Sequence, residues 1–361
     1  MKKKWIALLL AFAMVLNLAA CGGVSTPTTT AQTEQSSDFR IYVDDCGREV
    51  EIPAQISRIV ATGPLAQIVL LAIAPDLLVG LAAEMPESAR GIVPDALFDL
   101  HYFGQLYGSA HLSMEELAAV GPELIVDIVY MKDGIQDDLN DLEEQTTIPA
   151  VFVSSTLESM PQTFRTLGKL LNREEKAEQL AKFCERVYDR TVSIMEEVGE
   201  ENKVNALYIT GEAGLNVLAK GSYHAELIDM LVNNLAVVDN PSGKGTGNEV
   251  TMDQILLWNP DYIIFAPGSI YETVGQMDTW DSVTAIAQGQ YLETPSVPHN
   301  WMGSPPSVQR YLGMIWLTSA LYPEFCDYDV KAEVLEYYSL FYGCELTAEQ
   351  YNAITANAGL R

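Results

Sequence analysis

The sequence predicts an α/β protein of two similar lobes joined by one long helix. Three observations carry this reading. The stretches "LSMEELAAVGPELIVDIVY" (112–130) and "VTMDQILLWNPDYIIFAPG" (250–268) are near copies, with Met114 and Met252 138 residues apart. That interval is too long for a solenoid, whose period is about 20–50 residues, and it suits a duplicated lobe. Residues 59–81 read as strand, helix and strand, the signature of a parallel sheet. Residues 173–198 contain no Gly or Pro and carry apolar side chains at Ala177, Leu180, Ala181, Phe183, Val187, Val192 and Ile194.

The chain opens on Lys2, Lys3 and Lys4, followed by an apolar run over 5–18. The run is short for a membrane span of ~20 residues and matches the apolar core of a secretory leader. Leu18-Ala19-Ala20-Cys21 resembles the bacterial lipobox. In such signals Cys21 is lipidated and becomes the mature N-terminus; an ordinary leader with a chance cysteine is the alternative. Residues 1–20 thus read as signal peptide. Residues 21–37, rich in Ser, Thr and Gln, read as a flexible tether that cannot bury a core.

Loss of the three leader lysines leaves 18 basic against 49 acidic residues, a formal charge of −31. So negative a field argues against nucleic acid or anionic lipid as a partner, leaving the lipid anchor as the membrane link. Cys46, Cys184, Cys326 and Cys344 form no CxxC and no metal spacing, and a Cys326–Cys344 disulfide is open to an extracytoplasmic chain. No metal or cofactor motif appears.

The body begins with a loosely alternating pair of segments over 41–52 around the turn Asp45-Cys46-Gly47-Arg48. Residues 59–61 form a buried strand, Thr62-Gly63-Pro64 a turn, 67–74 a helix and 78–81 a second strand. Ser113 and Thr251 each begin a capping box, with Glu116 or Gln254 three residues on. Each starts a helix of about two turns that ends before Pro122 or Pro260. Strands over 124–126 and 262–265 follow. Met114, Met252 and the Leu/Ile positions should face the sheet, and Glu115 and Asp253 should point outwards. At 1.5 Å per residue the 173–198 helix spans ~37 Å, enough to cross between lobes; a coiled coil is the alternative, but the heptad is short and irregular. The segments are a 38–158 lobe, a 159–200 connection, a 201–330 lobe and a 331–361 helical tail.

Catalytic patterns are absent. The run Ser242-Gly243-Lys244-Gly245-Thr246 lacks the spacing of a phosphate loop and reads as a flexible surface loop. No GxSxG or HExxH occurs. His101, His111, His224 and His299 are scattered, with His299 the best placed. In "PHNWMGSPPSVQRYLG", Ser304-Pro305-Pro306 reads as a helix start running to about residue 321, with Arg310 in its second turn. Trp301 then belongs either to the core or to a cleft wall, and Arg310 is either a surface charge or an anchor for a carboxylate, phosphate or oxyanion. Ligands of parallel sheets sit beyond the strands' C-terminal ends. That nominates Thr62, Gly63, Tyr130 and Lys132, with Phe103 and Tyr107 nearby, and Glu212 and Tyr223 in the second lobe.

Five stretches in order resemble the ABC-importer binding proteins for iron-siderophores, haem and cobalamin. They are "DCGREVEIPAQISRIVATGP", "FGQLYG…LSMEELAAVGPELIV", the long helix, "GNEVTMDQILLWNPDYIIF" and "NWMGSPPSVQRYLGMIWL", covering about 38–324. The resemblance implies two Rossmann-like lobes on a rigid helix, a ligand cleft between them, and binding and delivery of a metal chelate with no bond made. It also implies that Glu115 and Asp253 dock onto arginines of a dimeric ABC permease. Within the class, a molybdate or tungstate binder is the rival; outside it, a surface enzyme or chelatase.

Overall fold

The computed structural model of the protein describes residues 38–105 and 112–360. Cys21 and Tyr107 lie outside the described residues. The first strands, β1 (Phe39–Val43) and β2 (Glu49–Pro53), form an antiparallel hairpin. Buried Asp44 holds its turn, accepting from the Cys46 amide at 3.2 Å, the Arg48 amide at 2.9 Å and Arg48 Nε at 3.0 Å.

The N-terminal lobe is a three-stranded parallel sheet in the order β3 (Ile59–Ala61), β4 (Leu124–Val129), β5 (Ala150–Ser154). Helix α1 (Pro64–Ile73) starts at its proline, whose missing amide needs no partner there. The expected strand over 78–81 reduces to two isolated bridges, Leu78 to Ile59 and Leu81 to Tyr102. The Gln67 side chain takes the backbone groups a strand would have paired. It accepts from the Ala82 amide at 2.8 Å and the Ala83 amide at 3.1 Å, and donates to the Ala83 carbonyl at 2.9 Å.

Helix α2 (Met114–Val120) begins the first copy of the repeat. Ser113 Oγ accepts from the Glu116 amide at 3.3 Å, but the reciprocal half of the capping box is missing. The Ser113 amide donates to the Phe103 carbonyl instead, and Glu116 meets His101 Nδ1 at 3.1 Å. Leu117 is buried as expected, whereas Met114 is exposed rather than turned to the sheet. Helices α3 (Ile135–Thr146) and α4 (Met160–Leu171) complete the lobe.

Helix α5 (Glu174–Val198) is 25 residues long with Arg173 at its N-cap, as its unbroken apolar pattern predicts. It packs on α1 and α4 and on a C-terminal-lobe helix.

The C-terminal lobe places β6 (Asn205–Thr210), β7 (Asn216–Val217), β8 (Asn233–Asn234), β9 (Asn248–Glu249), β10 (Tyr262–Phe265) and β11 (Tyr291–Glu293) in one sheet. Its path is β11-β10-β6-β7-β9, with β8 beside β6 and the four strands β11, β10, β6 and β8 parallel. Its helices are α6 (Glu226–Leu231), α7 (Met252–Trp258), α8 (Tyr271–Val274), α9 (Thr284–Ala287) and α10 (Arg310–Leu321). In the second copy of the repeat, Thr251 Oγ1 accepts from the Gln254 amide at 3.2 Å and Ile255 is buried.

Helix α10 starts at Arg310, not at Ser304. Ser304 and Pro305 each precede a proline, whose ring disfavours helical geometry in the residue before it. The helix crosses the 299–304 loop at Gly313, where a Cβ would fall 2.4 Å from the Trp301 carbonyl oxygen.

The tail forms α11 (Val330–Tyr337), a π-helical turn over Tyr338–Tyr342 and α12 (Ala348–Ile354). Its aromatics pack on the core: Tyr337 and Phe341 stack at 4.1 Å, and Phe341 meets Phe183 of α5 and Phe164 of α4. The four described cysteines are free, so Cys326 and Cys344 form no disulfide. Cys344 Sγ donates to the Gly91 carbonyl at 3.5 Å, and Cys326 Sγ to the Tyr328 hydroxyl at 3.7 Å. No helix of the described residues is long and apolar enough to cross a membrane.

Candidate functional site

Parallel strands bring their C-terminal ends to one edge of each sheet, and the loops there line the candidate site. In the C-terminal lobe, Thr210 ends β6 and Gly211 follows it, Ala266 and Pro267 follow β10, and Ser296 follows β11. These residues line a cavity of about 720 Å³ with Asn216, His224, Gly245, Thr246, Asn300 and the backbone turn at Gly303. The described lining contains no Lys, Arg, Asp or Glu. Its floor is tied by the buried Tyr208, whose hydroxyl accepts from Asn300 Nδ2 at 3.0 Å. Asn300 Oδ1 in turn accepts from the Met302 amide at 2.8 Å. His224 Nδ1 is buried without a partner, and burial lowers the imidazole's pKa, keeping it neutral.

The lobes meet beside this cavity. The Tyr130 ring, beyond β4, lies 4.5 Å from the Tyr223 ring at 42°. Behind them, Leu65, Val129 and Ser155 face Tyr223, Ser307 and Arg310 across a crevice enclosing only about 10 Å³. Ser307 Oγ donates to the Leu65 carbonyl at 3.0 Å, and the Tyr311 hydroxyl to the Leu157 carbonyl at 2.6 Å. A larger concavity, about 990 Å³, lies by Val204, Tyr262 and Gln290 at the opposite strand ends and is closed by the tail. It lies at the strand ends away from the junction of the lobes, so it is not the cleft.

Thr62, Tyr130 and Tyr223 all lie where the lobes face one another, but Thr62 is turned inwards. It is 2% exposed and donates its hydroxyl to Asp127 Oδ1. Gly63 is the N-cap of α1. Burial pushes the Asp127 carboxyl up to about 6, against the opposing effects of the Thr62 hydrogen bond and the Lys132 charge. Its Oδ2 has no partner. Lys132 pairs with Asp138 at 3.3 Å, and Glu212 is exposed beside Gly211.

Three expectations need correction. Trp301 has no exposed surface and packs edge-on to Trp316 at 6.3 Å, so it is core. Phe103 is likewise buried, under the close approach of Gly80. Arg310 is neither a surface charge nor an open anion receptor: it is 2% exposed and ion-paired with Glu226. The 242–246 loop is at the surface as expected, with Gly243, Lys244 and Thr246 exposed, and its Gly245 and Thr246 also line the cavity. His299 contributes no exposed base; its Nε2 is buried without a partner, and desolvation lowers its pKa to about 4. Sequence reasoning missed Asp127, Tyr208, Thr210 and Asn300. Only Asp127 left a signal, as the lone charge within the apolar strand "LIVDIV".

Glu115 and Asp253 are exposed at the second position of α2 and α7.

Comparison with known proteins fits this geometry. The chain is 20% identical over 298 residues to the uncharacterized ABC transporter substrate-binding lipoprotein YvrC of Bacillus subtilis, covering 79% of this chain and 88% of that one. A 98-residue stretch is 30% identical to the molybdate-binding protein MolA of Haemophilus influenzae, 26% of this chain and 27% of MolA. The solved ABC transporter solute binding protein from Sulfurospirillum deleyianum superposes with a TM-score of 0.81 at 25% identity, over 88% of this chain and 99% of that one. MolA bound to molybdate superposes with a TM-score of 0.68 at 18% identity, over 85% and 99%, a likeness of fold. The periplasmic binding protein family matches residues 107–298. That match spans more than half of the sequence, and the chain belongs to the periplasmic binding protein family.

Proposed function

We propose that the protein is an extracytoplasmic solute-binding lipoprotein, anchored through Cys21, that captures a metal chelate such as an iron-siderophore, haem or corrinoid and delivers it to an ABC importer. The observation that carries this reading is the cavity of about 720 Å³ at the strand ends of the C-terminal lobe, within the range of pockets that enclose small ligands. The tyrosine pair beside it, Tyr130 exposed and Tyr223 half-buried, offers apolar area with hydroxyls, which suits an amphipathic chelate. Glu115 and Asp253, one per lobe, are the carboxylates a twofold permease would grip.

A molybdate or tungstate binder is the second reading. The uncharged lining with Thr210, Asn216, Asn300 and Ser304 in it favours it, and the burial of Trp301 removes one aromatic that spoke against it.

Native mass spectrometry of the mature protein against siderophores, haem, corrinoids and molybdate tests both. Retention of one chelate supports the first reading, and retention of molybdate alone the second. A protein that retains no solute overturns both. Recovery of the retained solute chemically altered would replace binding by turnover.

A further inference from the structure

The 242–246 run was legible in the sequence as a failed phosphate loop and a flexible surface loop, and the structure points to a further use for it. Five hydrogen bonds fix it. Asn248 Oδ1 accepts from the Ser242 amide at 2.8 Å, and Asn248 Nδ2 donates to the Asn240 carbonyl at 2.9 Å. Ser242 Oγ accepts from the Lys244 amide at 3.1 Å, and the Gly247 amide closes a turn on the Lys244 carbonyl at 2.9 Å. Thr210 Oγ1, from the end of β6, donates to the Thr246 carbonyl at 2.7 Å.

This leaves the amides of Gly245 and Thr246 without a described partner on a wall of the cavity. Gly245 presses so close that a Cβ there would come within 3.2 Å of His224 and 3.3 Å of Ser304 Oγ. At Gly245 the loop therefore presents backbone rather than side chain to the cavity. Lys244, between the two glycines, is exposed and has no ion pair among the described residues. Arg310 is engaged by Glu226 and Lys132 by Asp138. An uncharged cavity with two vacant amides on its wall, and an exposed ammonium on the residue that precedes them, is complementary to an oxygen-borne negative charge. Glu212, exposed on the same rim, is screened by water and opposes this weakly.

We propose that the 242–247 loop is the oxyanion-recognition element of the cavity, with Lys244 and the Gly245 and Thr246 amides receiving a carboxylate of a chelate or the oxygens of a metal oxyanion. This rests on the solute-binding reading and narrows it to ligands that present such a group. The test follows the Gly245 and Thr246 amide resonances of the full chain during titration with sodium molybdate and, separately, with gallium citrate, a diamagnetic carboxylate chelate. Saturable shifts at both amides are expected with at least one probe. Molybdate alone would identify a free oxyanion, and gallium citrate alone a carboxylate-bearing chelate. Lys244→Ala should weaken that binding at least about tenfold, the loss expected of a charge-assisted contact, and Lys244→Arg should recover most of it. Two silent amides with both probes, or an unchanged Kd in Lys244→Ala, overturn the proposal. If a solute is retained in mass spectrometry while these amides stay silent, the loop is wrong and the solute-binding reading stands.

Discussion

Asp127 lies in the middle of β4, buried, with Thr62 on one oxygen and nothing on the other. The groups facing it are the Thr62 hydroxyl, the Ile128 amide, Lys132 and Asp138. Its folded pKa, raised from 3.8 to about 6 by desolvation, makes a sign prediction. A raised folded pKa stabilises the fold fully below the unfolded value, and the contribution disappears as pH rises through about 6. Asp127→Asn keeps an acceptor for Thr62 and cannot ionise. It should therefore add up to about 3 kcal/mol at pH ~7.5 and close to nothing at pH ~4. Urea denaturation at the two pH values checks this; equal gains at both would mean that the carboxylate is not penalised. Arg310 makes the opposite case. Its ion pair with half-exposed Glu226 is nearly buried, and removing one member leaves the other uncompensated. Arg310→Ala should cost about 2–4 kcal/mol of stability. An effect confined to ligand affinity, with no loss in denaturant midpoint, would return the guanidinium to the ligand.

Helix α10 shows how an element is placed by packing as much as by its own sequence. Its residues from Arg310 to Thr318 are buried on all sides, so no amphipathic face orients it. What seats it is Gly313 against the Trp301 backbone. An alanine would gain about 1 kcal/mol of helix propensity in isolation. At 2.4 Å from a carbonyl oxygen, however, its methyl must displace the loop or the helix. Gly313→Ala should be destabilising overall by about 1–3 kcal/mol, as overpacked cores are. Calorimetry giving an unchanged or higher Tm would show that the loop yields freely. Because the 299–304 loop carries Asn300 to the cavity, the same substitution should disturb solute binding.

For the whole molecule, the consequence of the duplicated piece lies on the surface. Each copy begins with an acid that the structure leaves exposed. An acid in a first helical turn is worth only ~0.3–1 kcal/mol to the helix, whereas a close charge pair across an interface can couple by ~1.5–7 kcal/mol. Glu115→Lys combined with Asp253→Lys should leave solute affinity within about twofold, since neither residue lines the cavity, and abolish uptake by cells, since a coupling of that size is lost. Normal uptake with a lowered Tm would make the two acids helix caps only.

The hairpin turn around Asp44, the 25-residue helix, both capping hydroxyls and both strands of the repeat were legible in the sequence. Each is set by contacts a few residues apart: a hydroxyl and an amide three positions on, or apolar positions on one helix face. The α/β class and the two lobes followed from such local signals and their repetition. The site was legible only as a region, because strand ends point to an edge without saying which side chains turn outwards. Trp301 and Arg310 look like ligand residues along the chain, but α10 lies over one and Glu226 neutralises the other, 84 residues away. The 242–247 loop carries no local signal for a cavity; Thr210, 36 residues earlier, fixes it there. Local hydrogen bonds and periodicity are written in neighbouring residues, whereas burial, charge pairing and the shape of a cavity depend on groups that become neighbours only when the helices pack on the sheets and the lobes meet.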